Sequence, residues 1–170
     1  LPLEQSFMAA DKSQHALKEF QCGKPQMNEF LARHAIKHAK LGLSKTYVLA
    51  ENTQSQKKRI AAYYTLSGAT VSREEIPVTN SLPAYPLPVV LLARLAVDKH
   101  YQGSGLGAKT LVSALRQAAT LSRAGLPAYG LILDVLDQEA LGFYQNFELF
   151  LPFTEQPMRL FVPMGTINRI

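Results

Sequence analysis

A chain of 170 residues with 47% hydrophobic and 18% charged side chains carries enough apolar surface for one packed domain, residues 1–170, and too much for a disordered segment. Its single cysteine, Cys22, excludes a disulfide scaffold and a cysteine-built metal site. The most apolar run, 87–97, contains Arg94 and falls well short of the ~20 residues of a membrane span; no secretory leader opens the chain, so the expected setting is the cytoplasm, away from membranes.

The formal net charge of +5 is unevenly placed. Residues 1–60 hold 10 Lys/Arg against 5 Asp/Glu, whereas residues 61–170 hold 8 against 8. Residues 24–59 alone carry 8 basic and 2 acidic side chains. So lopsided an excess fits a polyanion-binding face or a solvated one.

In chain order, the first expected helix runs from Lys24 to Leu41, with Pro25 in its first turn and Gly42 just beyond its end. Met27, Phe30, Leu31, His34, His38 and Leu41 fall on one face at helical spacing, and Arg33, Lys37 and Lys40 form a basic stripe beside it. Thr46–Ala50 and Ile60–Leu66 read as the two strands of an antiparallel hairpin joined by the polar loop Asn52–Lys58. Pro77, Pro83, Pro86 and Pro88 make residues 77–88 an ordered but irregular connection. Val89–Val97 is apolar on both faces and is expected at the centre of the sheet. After the turn QGSGLG at 102–107 comes a helix to Arg123, then a buried strand Tyr129–Val135, a short helix Gln138–Phe147 and a last strand Met158–Val162. The fold class is α/β (α+β), a mixed sheet flanked by helices.

The glycine turn presents backbone N–H groups and a helix N-terminus, a setting that accepts phosphate. Three registers fit it. Gly103 to Thr110 is one residue away from a nucleotide-triphosphate loop, with Asp134 as the possible magnesium-side carboxylate. Gly103 to Ala108 matches the dinucleotide-binding fingerprint. The third register, Gln102-x-x-Gly105-x-Gly107 directly after LARLAVD, resembles the Q/R-x-x-G-x-G/A loop of the GNAT superfamily of acetyltransferases. FQCG at 20–23, YYTLSG at 63–68, LLARLAVDKHYQGSGLG at 91–107, FYQNF at 143–147 and RLFVPM at 159–164 are similar to the acetyltransferase toxins of toxin–antitoxin modules. Glu148 departs from that pattern, standing where a glycine is expected.

The resemblance implies the GNAT fold, with a mostly antiparallel central sheet and the acetyl-CoA loop between the central strand and the following helix. It also implies acetyl transfer from acetyl-CoA to the α-amino group of an aminoacyl-tRNA, a cognate ribbon–helix–helix antitoxin and a homodimer; the alternative is an ordinary N-acetyltransferase acting on a protein N-terminus, lysine or small amine. Carried over residue by residue, it makes Tyr144 the general acid and the N–H of Leu95 the oxyanion donor. The backbone of Leu95, Ala96 and Val97 then holds the pantetheine arm, and Gln102, Gly103, Ser104, Gly105, Leu106 and Gly107 surround the diphosphate. Phe143 packs on the pantetheine or the core, and Asp137 contacts the cofactor or caps the helix.

No general base stands out, since Arg94 is the one charge inside LLARLAV. That suits an α-amine of pKa ~7.8, neutral about one time in seven at pH 7, better than a lysine of pKa ~10.4, neutral about once in a few thousand. Arg33, Lys37, Lys40, Lys45 and Arg94 are the candidates for RNA phosphate contacts, and Tyr63, Tyr64 and Tyr85 for stacking on a terminal adenosine. Lys57, Lys58 and Arg59 read as a loop tip. His34 and His38 have metal-pair spacing without a third ligand, so no metal is expected, and Cys22 reads as a small buried residue.

Overall fold

The computed structural model describes residues 2–78 and 81–170. Seven strands form one mixed, mostly antiparallel sheet: β1 Met8–Ala9, β2 Lys45–Ala50, β3 Ile60–Val71, β4 Leu87–Val97, β5 Gly130–Asp134, β6 Leu151–Pro152 and β7 Arg159–Pro163, in the order β1-β2-β3-β4-β5-β7-β6. The helices are α1 Pro25–Glu29, α2 Ala35–Lys40, α3 Leu106–Arg123, α4 Gln138–Gln145 and α5 Met164–Ile167. The chain divides into two compact units, Leu1–Ser67 with Arg94–Ala114, and Gly68–Ala93 with Leu115–Ile170.

In the first unit the expected hairpin is present. β2 and β3 pair antiparallel from Lys45↔Leu66 to Leu49↔Ala62, with a bulge before Ala50↔Ile60, and β1 adds to the other edge of β2 through Met8↔Val48. The one buried polar pair on this ladder is satisfied internally, Thr46 Oγ1 and Thr65 Oγ1 lying 2.7 Å apart.

The helix expected over residues 24–41 is interrupted. Between α1 and α2 the stretch Phe30–His34 is a π-helical turn, in which the Ala35 N–H donates to the Phe30 carbonyl. One extra residue in a turn rotates everything after it by about 100° relative to a regular helix. The buried face therefore passes from Phe30 and Leu31 to Ala35, while His34 is exposed and Leu41 is 61% exposed. This corrects the expectation that His34 and Leu41 share the core face, whereas His38 is half-buried with its ring edge-on to Phe30 at 5.3 Å. Arg33, Lys37 and Lys40 remain on the surface. The core beneath is Leu17, Phe20, Phe30, Leu31, Val48, Ile60 and Tyr63, with Met27 and Ile36 packed against it.

In the second unit β5 pairs parallel with β4 over Val89↔Gly130 to Leu91↔Ile132, and antiparallel with β7 along its whole length. Gly130 is required by close approach: a Cβ there would lie 2.4 Å from the Phe161 ring and 2.5 Å from the Val162 carbonyl oxygen. The core is built from Val71, Ile76, Leu87, Val89, Ile132, Phe153 and Phe161. Of the proline-rich connection, Thr79 and Asn80 lie outside the described residues, and Pro88 falls within β4 rather than before it. Leu111, Ala114, Leu115, Ala118 and Ala119 of α3 are all buried, the single apolar stripe that a helix of period 3.6 presents to a sheet.

Candidate active site

β4 ends at Val97 and the chain turns through a short 3-10 segment, Lys99–Tyr101, into the glycine loop that opens α3 at Leu106. Gly103 and Gly105 both adopt φ +82°, the left-handed region where an L side chain is strained. Neither position would crowd a Cβ, so it is conformation and not space that demands glycine. The first amides of α3 have no partner within their own helix and face outward at its positive end, where a diphosphate is stabilised.

Side chains fasten this loop to its surroundings. Gln102 donates from Nε2 to the carbonyls of Val97 at 2.8 Å and Cys22 at 3.0 Å, and Ser104 donates to the Tyr101 carbonyl at 2.7 Å. The side chain of Gln102 is thus committed to positioning the loop. Asp98 is 2% exposed and accepts from the Gln21 and His100 amides, while His100 Nδ1 lies 2.8 Å from its Oδ1. Burial alone would raise this carboxyl; the Gln21 and His100 amides together with the His100 ring outweigh it and hold the group below its ordinary value. Tyr101 donates to the buried Glu51, and burial followed by that bond pushes the phenol up to about 12. Asp98 and Glu51 were not singled out by sequence reasoning. The available signal for Asp98 was its place at the end of an apolar strand directly before a turn.

In the second unit, Tyr144 sits in the last turn of α4, its ring buried and packed edge-on by Phe143 and Phe150 at 5.1 and 5.7 Å between centroids. Its hydroxyl makes no hydrogen bond to protein among the described residues and is not one of the polar atoms sealed from solvent. Desolvation pushes the phenol well above its ordinary value, so it is a proton donor throughout the physiological range. Asp137 caps α4, accepting from the Ala140 N–H at 2.9 Å. Glu148, in the turn after α4, has φ +54° and is the one non-glycine residue of positive φ among the described residues. The departure noted in the sequence is a backbone that still takes the glycine conformation without the glycine.

Among the basic candidates, Arg33, Lys37 and Lys40 line a common cavity of about 530 Å³ in the first unit; Lys45 opens β2 as an exposed residue and Arg94 does not line the cavity. The Arg94 guanidinium stands 4.1 Å from the centroid of the Phe30 ring. The structure removes Tyr63 and Tyr64 as stacking platforms. Tyr63 is fully buried with its hydroxyl donating to the Met27 carbonyl, and Tyr64 is buried against the Tyr47 ring. Tyr85 is 76% exposed. Cys22 belongs to the core, and burial pushes its thiol up. Among the described residues no group of three or more His, Cys, Asp or Glu is arranged to hold a metal.

No protein-family model matches the chain. A tRNA-acetylating toxin of Mycobacterium tuberculosis (strain ATCC 25618 / H37Rv) is 31% identical over 148 residues, covering 85% of this chain and 84% of that protein. The chain belongs to the GNAT-type tRNA-acetylating toxins. The toxin AtaT complexed with acetyl-methionyl-tRNAfMet superposes with a TM-score of 0.86 at 28% identity, covering 98% of each chain. A tyrosine-to-phenylalanine mutant of AtaT, bound to the C-terminus of the antitoxin AtaR and to acetyl-CoA, gives 0.83 at 27% identity, covering 99% of this chain and 98% of that one.

For a toxin of this family the two nucleotide readings of the glycine loop fall away. Both need successive parallel β-α-β units, and here the loop follows a strand whose parallel partner is β5 in a mostly antiparallel sheet. No helix among the described residues is long and apolar enough to cross a membrane.

Proposed function

We propose that this toxin transfers the acetyl group of acetyl-CoA to the free α-amino group of an aminoacyl-tRNA and so blocks translation. The observation that carries the proposal is the left-handed Gly103/Gly105 loop between β4 and α3, in a chain of the tRNA-acetylating family. The complexes of AtaT with acetyl-CoA and with acetyl-methionyl-tRNAfMet support the same donor and the same class of acceptor.

In this reading the amides of Gly103, Ser104, Gly105, Leu106 and Gly107 receive the diphosphate, and Gln102 holds the loop in register. Leu95, Ala96 and Val97 lie beyond Leu91, the last β4 residue in the parallel ladder, and offer main-chain groups to the pantetheine arm. The neutral amine nitrogen forms a bond to the thioester carbonyl carbon while the Leu95 N–H meets the oxyanion. The C–S bond breaks, the thiolate takes the proton of the Tyr144 hydroxyl, and the proton shed by nitrogen passes to water and restores the phenol. Phe143 flanks Tyr144 and fixes its ring. Asp137 starts α4 through its Oδ1 and stands where its other carboxylate oxygen contacts the donor. Arg33, Lys37, Lys40, Lys45 and Arg94 neutralise RNA phosphates. A cognate ribbon–helix–helix antitoxin and a second copy of the chain complete the assembly, the first supported by the AtaT–AtaR complex.

The test is incubation with labelled acetyl-CoA, total charged tRNA, protein and polyamines together. Label enters the tRNA in an alkali-labile ester that carries an N-acetyl group; label confined to proteins or polyamines makes the enzyme an ordinary N-acetyltransferase.

A further inference from the structure

We infer that Glu51, just beyond β2, is a positioning residue for the acetyl donor: through the Tyr101 hydroxyl it holds the turn that presents the amides of residues 103–107, and it thereby sets coenzyme A affinity without touching the coenzyme. This deepens the proposed function and rests on its reading of the glycine loop as the seat of the diphosphate.

The β2–β3 ladder shifts register between Leu49 and Ala50, and such a bulge re-aims the side chains that follow it. Glu51 comes next and its backbone is tied on several sides. Its N–H donates to the Arg59 carbonyl at 2.9 Å, its carbonyl accepts from the Thr53 N–H at 3.1 Å, and it pairs antiparallel with Leu3. The residue is only 7% exposed. A carboxylate taken so far out of water is costly unless it is hydrogen-bonded, and its donor here is the Tyr101 hydroxyl. Burial, and then the bond to Glu51, push the Tyr101 phenol up to about 12, so the hydroxyl keeps its proton throughout the physiological range.

Tyr101 is in turn joined to the loop. Its N–H donates to the Asp98 carbonyl at 2.9 Å, and its own carbonyl accepts from the Ser104 hydroxyl at 2.7 Å, across Gly103. Its ring packs against the cluster of Leu49, Ala61, Ala62 and Leu106, the last of which is the first residue of α3. Gly103 and Gly105 carry no side chain that could anchor them, so the left-handed backbone at both positions is held through its neighbours. Gln102 supplies one hold, to Val97 and Cys22, and Tyr101 supplies the other. An apolar residue of similar volume at position 51 would fill the space without the desolvation of a charge, but it would leave the Tyr101 hydroxyl without its acceptor. Bonds from amides to phosphate oxygens are directional, so a small displacement of the turn weakens several of them together. A packing role for Glu51 would therefore register in stability alone, and a positioning role in donor affinity.

The test is titration calorimetry of the full chain with coenzyme A, with single-turnover acetylation at saturating acetyl-CoA as a second readout and thermal melting to show that each variant is folded. Tyr101→Phe keeps the ring and removes the hydroxyl. It and Glu51→Leu should each bind coenzyme A about tenfold more weakly, with the rate at saturation within about twofold of wild type. The double variant should lose no more than either single one, because the two groups form one link. Glu51→Gln still offers an acceptor to the Tyr101 hydroxyl and should return affinity to near wild type. Wild-type affinity in folded Tyr101→Phe, losses that add in the double variant, or Glu51→Gln as weak as Glu51→Leu would overturn the positioning role; if Glu51→Leu does not fold, Tyr101→Phe and Glu51→Gln decide it. Gly103→Val, strained at φ +82°, separates this inference from the reading beneath it. Unchanged coenzyme A affinity in Gly103→Val removes the glycine loop as the donor site and the inference with it, whereas weak binding there with normal binding by Tyr101→Phe removes the positioning role alone. The full binding pattern in a protein that acetylates no tRNA would remove the proposed acceptor and leave Glu51 in its role.

Discussion

In the unit that carries the glycine loop, functional geometry is set by polar side chains tied to main chain: Gln102 to Val97 and Cys22, and Asp98 to the amides of Gln21 and His100. In the unit that carries Tyr144 the same task falls to aromatic edges, Phe143 and Phe150 against the phenol ring, with the hydroxyl free of protein partners among the described residues. The contrast follows from the chemistry required. A loop that grips a diphosphate must hold its amides in a fixed array, and only directional bonds to rigid groups do that. A group that must give and recover a proton is better held by its ring alone, because a hydrogen bond to its oxygen would compete with the reaction.

The strongest attack on this comparison is Tyr144→Phe. The change removes an oxygen that holds nothing in place, so thermal stability and coenzyme A affinity should stay near wild type, the former within about 0.5 kcal/mol. Turnover should fall by roughly 100-fold or more in single-turnover acetylation assays. Wild-type turnover would show that the phenol is only a packing residue. A smaller effect is expected from Lys37→Glu with Lys40→Glu. Roughly tenfold weaker tRNA binding and a salt slope flatter by about 2, at ~0.9 per phosphate contact, should appear in fluorescence anisotropy between low and moderate salt.

Asp98→Asn sharpens the polar half of the comparison. The folded chain keeps Asp98 ionised to lower pH than the unfolded chain does. Its contribution is therefore complete above the ordinary value of ~3.9 and fades as pH falls toward the depressed folded value. Urea melts from pH 7 to pH 3 should show the wild type losing stability on acidification more steeply than the variant. The variant itself should be weaker at pH 7 by about 1–3 kcal/mol, the range for disturbing a hydrogen bond to a buried charge. Equal acid limbs would mean that Asp98 does not anchor the loop. The smallest effect is expected from Glu148→Gly. Relief of the left-handed strain, partly offset by the greater freedom of glycine in the unfolded chain, should raise stability by about 0.5–1 kcal/mol with activity unchanged. A destabilised variant would show that the Glu148 side chain holds this turn.

What was legible in the chain divides along similar lines. β4 announced itself by an apolar run broken only by Arg94, with Leu87, Val89, Leu92 and Ala96 buried, and the loop did so because two left-handed residues in a row of six demand glycine at 103 and 105. The turn at Phe30–His34 was hidden, since a π-helical turn uses ordinary helix-forming residues and leaves no compositional mark; reading period 3.6 through it put His34 and Leu41 in the core. Tyr63 and Tyr64 looked available for stacking because a tyrosine on a strand looks alike whether its face is wet or dry.

The most direct measurement is a crystal structure of this chain with acetyl-CoA. The account predicts the diphosphate on the main-chain amides of residues 103–107 and the thioester sulfur within hydrogen-bond reach of the Tyr144 hydroxyl. A donor bound elsewhere with the loop empty, or a sulfur remote from that hydroxyl, would contradict it.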